Sequence, residues 1–335
     1  MQVQRKPLDY TLLEKLTQTY GPSGNEHKVA VRIGEMVKND ADATETDILG
    51  NMIVRKKGSG KKIMIVSHMD EVGIIVTHIN RRGYLYFAPI GGIRKNVLIA
   101  QRFIFESGVV GTVCQEDKKK TDDLTSVKLY IDIGAANEEE ARKLVQEGDM
   151  AVFAGDYKET ETSVISKALD NRAGCFIAIE ALKAVSSEND LYFVFTAQEE
   201  VGSRGAKTAA YALYPDLALN VDTTFSYDDP KELEMHRTAM NKGVAIMVMD
   251  HSIVVSPAIK NWMADIAETH RIPYQWEVIT GGGTDSGPVH LTRGGIPTGG
   301  LSLPVRHLHT PNEIAAKKDI EAAVDLLLAL LENPS

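Results

Sequence analysis

The chain is short of several things, and each shortage excludes something. It has two cysteines in 335 residues, Cys114 and Cys175, too few for a disulfide framework. Both are expected to act as buried small hydrophobes. Aromatics make up 6% of the residues, which leaves few platforms for stacking against sugar rings. Basic charge is in deficit: 37 Lys and Arg against 46 Asp and Glu give a formal net charge of −9. That balance is a poor basis for non-specific nucleic-acid binding, which needs a basic footprint. No apolar run reaches the roughly 18 residues that a membrane helix needs. Met1 to Tyr10 is mixed and polar rather than basic and then apolar, so no secretory leader is expected there. Internal repeats and low-complexity tracts are missing as well. A cytoplasmic protein without nucleic-acid or membrane partners is expected. Against these shortages stand 43% hydrophobic residues and a length that suggests about two domains at roughly 150 residues each.

The pattern along the chain changes twice. Leu12, Leu13, Leu16 and Tyr20 recur at helical spacing and stop at Gly21-Pro22. Ser23 and Glu26 fit a capping box for a second helix that runs to about Lys38. Met52 to Arg55 and Ile63 to Val66 are short apolar runs, the second with the look of a strand buried on both faces of a parallel sheet. From Val72 to about Thr162 helical periodicity gives way to short β-like runs punctuated by glycines such as Gly91-Gly92, with one helix near Glu138 to Glu147. Lys118 to Lys120 falls in this stretch and reads as a solvated loop. Alternation of helix and strand then resumes. Asn171 to Val185 is helical with Asp170 as its N-cap, Leu191 to Ala197 and Asp216 to Val221 are strands, and Ile320, Val324, Leu327, Leu328 and Leu331 form the apolar stripe of a last helix. The fold class is therefore α/β, with residues 72–162 as a β-rich, barrel-like domain inserted into an α/β domain made of residues 1–71 and 163–335.

Metal-capable side chains follow the apparent strands. His68 and Asp70 come after Ile63 to Val66, Glu199 and Glu200 after Leu191 to Ala197, Asp222 after Asp216 to Val221, and His309 after Gly299 to Leu303. Ligands of open α/β sheets bind outside the carboxyl ends of the strands, so this placement is what a metal site would require. Each residue alone has a blander explanation: Asp170 as a helix cap, Glu199-Glu200 as a solvated pair. The set is more telling. His68 and Asp70 face the same way on an extended chain, and a ligating imidazole usually gives its other N–H to a carboxylate. Adjacent carboxylates repel unless a cation compensates them. Mixed His and carboxylate donors suit Zn²⁺, Co²⁺ or Mn²⁺ better than a thiolate-seeking metal. Gly281 to Gly283 lacks the Lys-Ser/Thr of a phosphate loop and reads as a turn near Asp285.

Six motifs in order carry a resemblance. Ser67-His68-Met69-Asp70-Glu71-Val72-Gly73, Ala168-Leu169-Asp170-Asn171-Arg172, Gln198 through Ala206, Asn220-Val221-Asp222, Gly282-Gly283-Thr284-Asp285 and His309-Thr310-Pro311 together resemble the M42 metallo-aminopeptidases, the TET and glutamyl-aminopeptidase type, over nearly the whole chain. The resemblance implies a metallopeptidase core with a mixed central sheet and two divalent ions per chain, zinc or cobalt. Asp170 would bridge them, with His68 and Asp222 completing one site and Glu200 and His309 the other. Glu199 would be the general base in metal-hydroxide attack on the first peptide bond, and Asp70 would orient His68. Three ligand carboxylates and a hydroxide would balance two divalent cations. His307, two residues before His309, is the alternative ligand. Peptides are the implied substrates, and dimers formed through the inserted domain would assemble into a dodecamer. Two other readings stand beside this one: a non-catalytic metal-binding scaffold, and a glycoside hydrolase, for which neighbouring Glu199 and Glu200 are a poor pair because the usual mechanism needs two facing carboxyls.

Overall fold

A computed structural model describes residues 5–116, 128–228, 230 and 238–334. Lys118 to Lys120 and His236 lie outside the described residues. Four strands run parallel at the centre of an 11-stranded sheet, in the order Asp190–Thr196, Lys62–His68, Leu217–Phe225 and Thr298–Arg306. Antiparallel strands flank them: Met52–Lys56 and Ala43–Thr46 on one side, Glu313–Ala316, Ser163–Ser166 and Lys158–Glu159 on the other. Val244–Met249 also pairs with Thr298–Arg306, and Tyr274–Val278 with Val244–Met249.

The unbroken apolar runs follow from burial on both faces. In Lys62–His68, Ile63 and Ile65 join the larger core, while Met64 and Val66 join a smaller core on the opposite face. Alternate side chains of one strand point to opposite faces, so a strand between two helix layers has no polar face. The larger core takes the helices Tyr10–Gln18, His27–Val37, Leu169–Ala184, Pro257–His270 and Lys317–Glu332. The smaller takes Arg204–Leu213 and Val289 of Ser286–His290.

Six strands between Gly73 and Phe153 close into an antiparallel barrel: Gly73–Ile79, Leu85–Ile90, Leu129–Asp132, Val110–Gln115, Arg102–Phe105 and Met150–Phe153. The barrel has its own core, with Ile74, Leu85, Phe103, Ile131 and Phe153 among its members. Closure removes the exposed edges that a short-stranded sheet would present. Lys158–Glu159, near the end of the β-rich segment, pairs in the large sheet instead. Among the described residues no helix is long and apolar enough to cross a membrane.

Three local expectations are corrected. Ser23 does not cap the second helix: its hydroxyl donates to Asp70 Oδ2 at 2.7 Å. Glu26 is the N-cap residue, and its Oε1 accepts from the backbone N–H groups of Gly24 and Gln198 at 2.7 and 2.9 Å. Asp170 is not the cap of the long helix either. Regular helical backbone begins after Asn171, whose Oδ1 accepts the Gly174 N–H at 3.0 Å, and the Asp170–Asn171 peptide is cis. Cys175 is buried as expected, but Cys114 is only half-buried on a barrel strand.

Candidate metal centre

The parallel strands all end at one edge of the sheet, and the metal-capable side chains collect there. His68 is the last residue of its strand. Thr196 ends the neighbouring strand, and the chain turns through Gln198 to present Glu199 and Glu200. Asp222 lies within Leu217–Phe225 rather than after it, opposite Ser302 of Thr298–Arg306. His309 comes three residues after that strand ends. Asp170 approaches from the helix layer. Gly174 permits this: a Cβ there would lie 2.2 Å from Asn171 Oδ1, 2.6 Å from Ser67 Oγ and 2.6 Å from the Val221 carbonyl. The first turn of that helix therefore rests directly on the strand ends that carry His68 and Asp222.

Two groups of three result, and they share a member. His68, Asp170 and Asp222 form one, and Asp170, Glu200 and His309 the other; within each, one ligand atom per residue lies within 4.8 Å of the rest. His68 Nε2 is 3.2 Å from Asp170 Oδ1 and 3.5 Å from Asp222 Oδ1. His309 Nε2 is 3.2 Å from Asp170 Oδ2 and 3.3 Å from Glu200 Oε1. The two oxygens of Asp170 thus face different imidazoles. His307 is in neither group; it lines a separate cavity.

Surrounding groups fix the orientation of the ligands. His309 Nδ1 lies 2.8 Å from the Gly92 carbonyl; donating there leaves Nε2 aimed at the carboxylates, the arrangement a ligating histidine adopts. Gly92 belongs to the barrel-side loop, so the barrel takes part in building the site. Asp70, fully buried, accepts from Glu199 N–H at 3.0 Å and Glu200 N–H at 3.1 Å, and its Oδ1 is 3.4 Å from His68 Nδ1. Ala168, Gln198 and His309 take left-handed backbone conformations with φ of 55–60°. Such conformations cost about 1–3 kcal/mol each and gather at functional sites.

The electrostatics of the site set burial against neighbouring charge. Burial works against protonation of His309, but Asp170 and Glu200 outweigh it and push its pKa up to about 12. His68 behaves alike: burial opposes the charge, and Asp170, Asp222 and Asp70 overcome it to raise the pKa well above the usual imidazole range. Burial raises the Glu199 carboxyl well above the ordinary range, His68 opposes this, and Asp285, Asp222 and Glu200 reinforce it. Burial also raises Asp285, to about 7. Each imidazole claims a positive charge between carboxylates, and a divalent ion meets the same demand with His nitrogen and carboxylate oxygen as donors. The residues present therefore fit divalent cations.

A cavity of about 130 Å³ opens on this cluster. Its walls include Thr224, Phe225, Glu277, the Gly281–Thr284 turn and Leu308. Gly282 has φ of 77°, a conformation that costs glycine little. Asp285, next to that turn, is buried and accepts the Thr196 hydroxyl at the foot of the Glu199–Glu200 loop.

The profile of the M42 glutamyl aminopeptidase family matches residues 50–326. A protein of Acetivibrio thermocellus, described as a candidate aminopeptidase, is 46% identical over 321 residues and covers 95% of this chain and 97% of its own. An aminopeptidase from the archaeon Desulfurococcus kamchatkensis superposes with a TM-score of 0.92 at 35% identity, over 96% of this chain and 94% of its own. The TET1 peptidase of Pyrococcus horikoshii, which can assemble into a tetrahedron or a large octahedral shell, superposes at 0.85 with 33% identity, over 96% and 99%.

Proposed function

The chain belongs to the M42 peptidase family, an aminopeptidase family, and on that premise we propose that it is a cytoplasmic, dinuclear metal-dependent enzyme that removes amino-terminal residues from peptides. The observation that carries the dinuclear reading is the pair of three-residue groups that share Asp170. His68, Asp170 and Asp222 would hold one divalent ion and Asp170, Glu200 and His309 the other, zinc or cobalt by the character of the donors. Bound divalent ions supply Lewis acidity, acidifying water and polarising a carbonyl.

The protein's own groups do the rest. Glu199 is the proton carrier. Its Oε1 accepts the Ser203 hydroxyl at 2.9 Å, which fixes the carboxylate and leaves Oε2 to take a proton from the attacking water and return it to the departing amine. A carboxyl raised by burial is suited to both halves of that task. Asp70 positions both partners: it holds the backbone of Glu199 and Glu200 and lies against the ring of His68. The two glutamates diverge, Glu199 toward Ser203 and Glu200 toward His309, which supports separate proton-carrying and ligating roles and disfavours the facing pair of a glycoside hydrolase. A cavity of about 130 Å³ opens on the cluster, in keeping with entry of a chain end. By extension from the TET1 peptidase, the chain would form large homo-oligomers, with the barrel as dimer contact.

The test is a panel of aminoacyl chromogenic amides and free peptides, with added Zn²⁺ or Co²⁺, using wild type and Glu199→Gln. The expected result is release of amino-terminal residues by the wild type and about 10²–10⁴-fold slower turnover by the variant at unchanged metal content. Two ions per chain with no release from any substrate would refute the aminopeptidase and leave the metal-binding scaffold.

A further inference from the structure

One buried carboxylate that no sequence motif singles out touches the backbone of two of the metal-capable residues. Glu313 is 2% exposed. Its Oε2 accepts the Asp170 N–H at 3.0 Å, and its Oε1 accepts the His309 N–H at 2.7 Å. The topology explains how it reaches both. Glu313 opens a strand that pairs on one side with Ser163–Ser166, four residues before Asp170, and on the other with Thr298–Arg306, three residues before His309. Its register partner is Ser166, and that of Ile314 is Arg306. Two loops leave the sheet at the same height, and one side chain lies between them.

We infer that Glu313 is a positioning residue which sets the spacing between Asp170 and His309, and so governs cation binding at the Asp170, Glu200 and His309 site selectively. The inference rests on the two-ion reading above. Both carboxyl oxygens of Glu313 accept, one from each loop, and losing either would leave a buried backbone N–H without its acceptor. His309 takes left-handed backbone, with φ of 60°, so its main chain needs such an anchor. The other site is held differently. His68 and Asp222 stand on neighbouring parallel strands, within or at the end of the regular ladder, and the hydrogen bonds of Glu313 reach neither. Only the shared Asp170 connects Glu313 with that site. A purely local role, such as closing the turn from His309 to Glu313, would lower the stability of the metal-free chain and leave cation affinity alone.

The test uses full-length protein stripped of metal with a chelator and titrated calorimetrically with Zn²⁺ or Co²⁺. Wild type should bind two ions per chain; binding of one or none refutes the two-ion reading itself, whatever the variants do. Glu313→Gln keeps the shape but places an amide N–H₂ against one of the two N–H donors. Its expected effect is a loss of about 10–100-fold in affinity at one site, the range typical of removing a group that orients a ligand, with the other site within about threefold. Glu313→Asp, which keeps both acceptor oxygens one methylene short, should recover part of the loss. Unchanged affinity at both sites, or equal loss at both, overturns the inference. Should the stripped Glu313→Gln protein not fold, Glu313→Asp is titrated by the same criterion, and there two undiminished sites overturn it.

Discussion

Two clusters of buried charge are interleaved at the carboxyl edge of the sheet, one residue apart in sequence and opposite in character. Asp70 serves the candidate metal centre, while Glu71 accepts Lys167 Nζ at 2.6 and 2.9 Å and faces Arg172 at 3.4 Å. Asp170 serves the centre, while Arg172, two positions on, is fully buried and donates to the carbonyls of Leu16, Thr19, Gly21 and Met69. In the Glu71 cluster every charge meets an opposite charge or a carbonyl, and the arrangement is complete as folded. In the other, Asp170, Asp222, Glu199 and Glu200 have two imidazoles as cationic partners, with Ser203, Asn220 and the Thr223 N–H as neutral donors, and Asp285 Oδ1 is buried without a hydrogen-bond partner among the described residues. Burying charge is costly in both places. The difference supports reading the first cluster as scaffold and the second as the candidate metal centre: unmet charge, rather than burial, sets them apart.

The sharpest way to break that comparison is to make the complete cluster incomplete. Arg172→Met removes the guanidinium from carbonyls at the ends of two elements and leaves Glu71 with Lys167 alone. A stability loss of about 3–5 kcal/mol is expected, the usual cost of removing one member of a buried charge pair, read as a shift of the urea midpoint at constant slope. The folded fraction should keep its metal stoichiometry. Loss of metal binding at full stability would place Arg172 in the centre and merge the two clusters.

Gly174→Ala probes the ground between them. The added methyl would meet Asn171 Oδ1, Ser67 Oγ and the Val221 carbonyl, atoms beside Asp170, His68 and Asp222 in sequence. Overpacking of this kind costs about 1–3 kcal/mol. Both readouts should move: a smaller stability loss than for Arg172→Met, and weaker cation binding, because the helix start that carries Asp170 is pushed off the strands. An effect on stability alone would mean that the placement of Asp170 does not depend on this close approach.

How far the sequence already held this arrangement depends on the range of the interaction. The apolar runs of the parallel strands were legible because burial on both faces leaves no polar periodicity, as Ile63 to Val66 illustrates. His68, Glu199, Glu200 and His309 were legible because each follows or ends such a run, whereas Asp170 stands at the start of a helix and Asp222 within its strand. Partners distant in sequence were not legible. Ser23 satisfies a local capping pattern, yet its hydroxyl turns to Asp70, 47 residues away. Asp170 has the composition of a cap, yet Asn171 does the capping, which leaves the Asp170 carboxylate to the imidazoles. Arg172 was visible only as a letter in a motif, because its acceptors are carbonyls up to 156 residues away. Glu313 had no signal at all: an acid before a short apolar run is ordinary, and its contact with Asp170 spans 143 residues.

The exposed end of the scale gives the last and smallest test. Asp228 pairs with Arg306 at the mouth of a cavity of about 570 Å³ that shares Phe225 and Leu308 with the metal-facing one. Arg306, helped by the Ser226 hydroxyl against a small burial cost, holds the Asp228 carboxyl down to about 2. The folded pKa is therefore depressed, so the pair adds stability that is present above the ordinary range near 4 and is lost as pH falls through about 2. Water screens the pair, since the Arg306 side chain is 41% exposed, and its worth is below about 1 kcal/mol. Asp228→Asn should shift the urea midpoint slightly at pH 6, and the difference should vanish as pH falls from 4 toward 2. A pH-independent loss as large as that of Arg172→Met would contradict the ordering, because it would mean that exposure does not separate the pairs that hold the fold from those that decorate it.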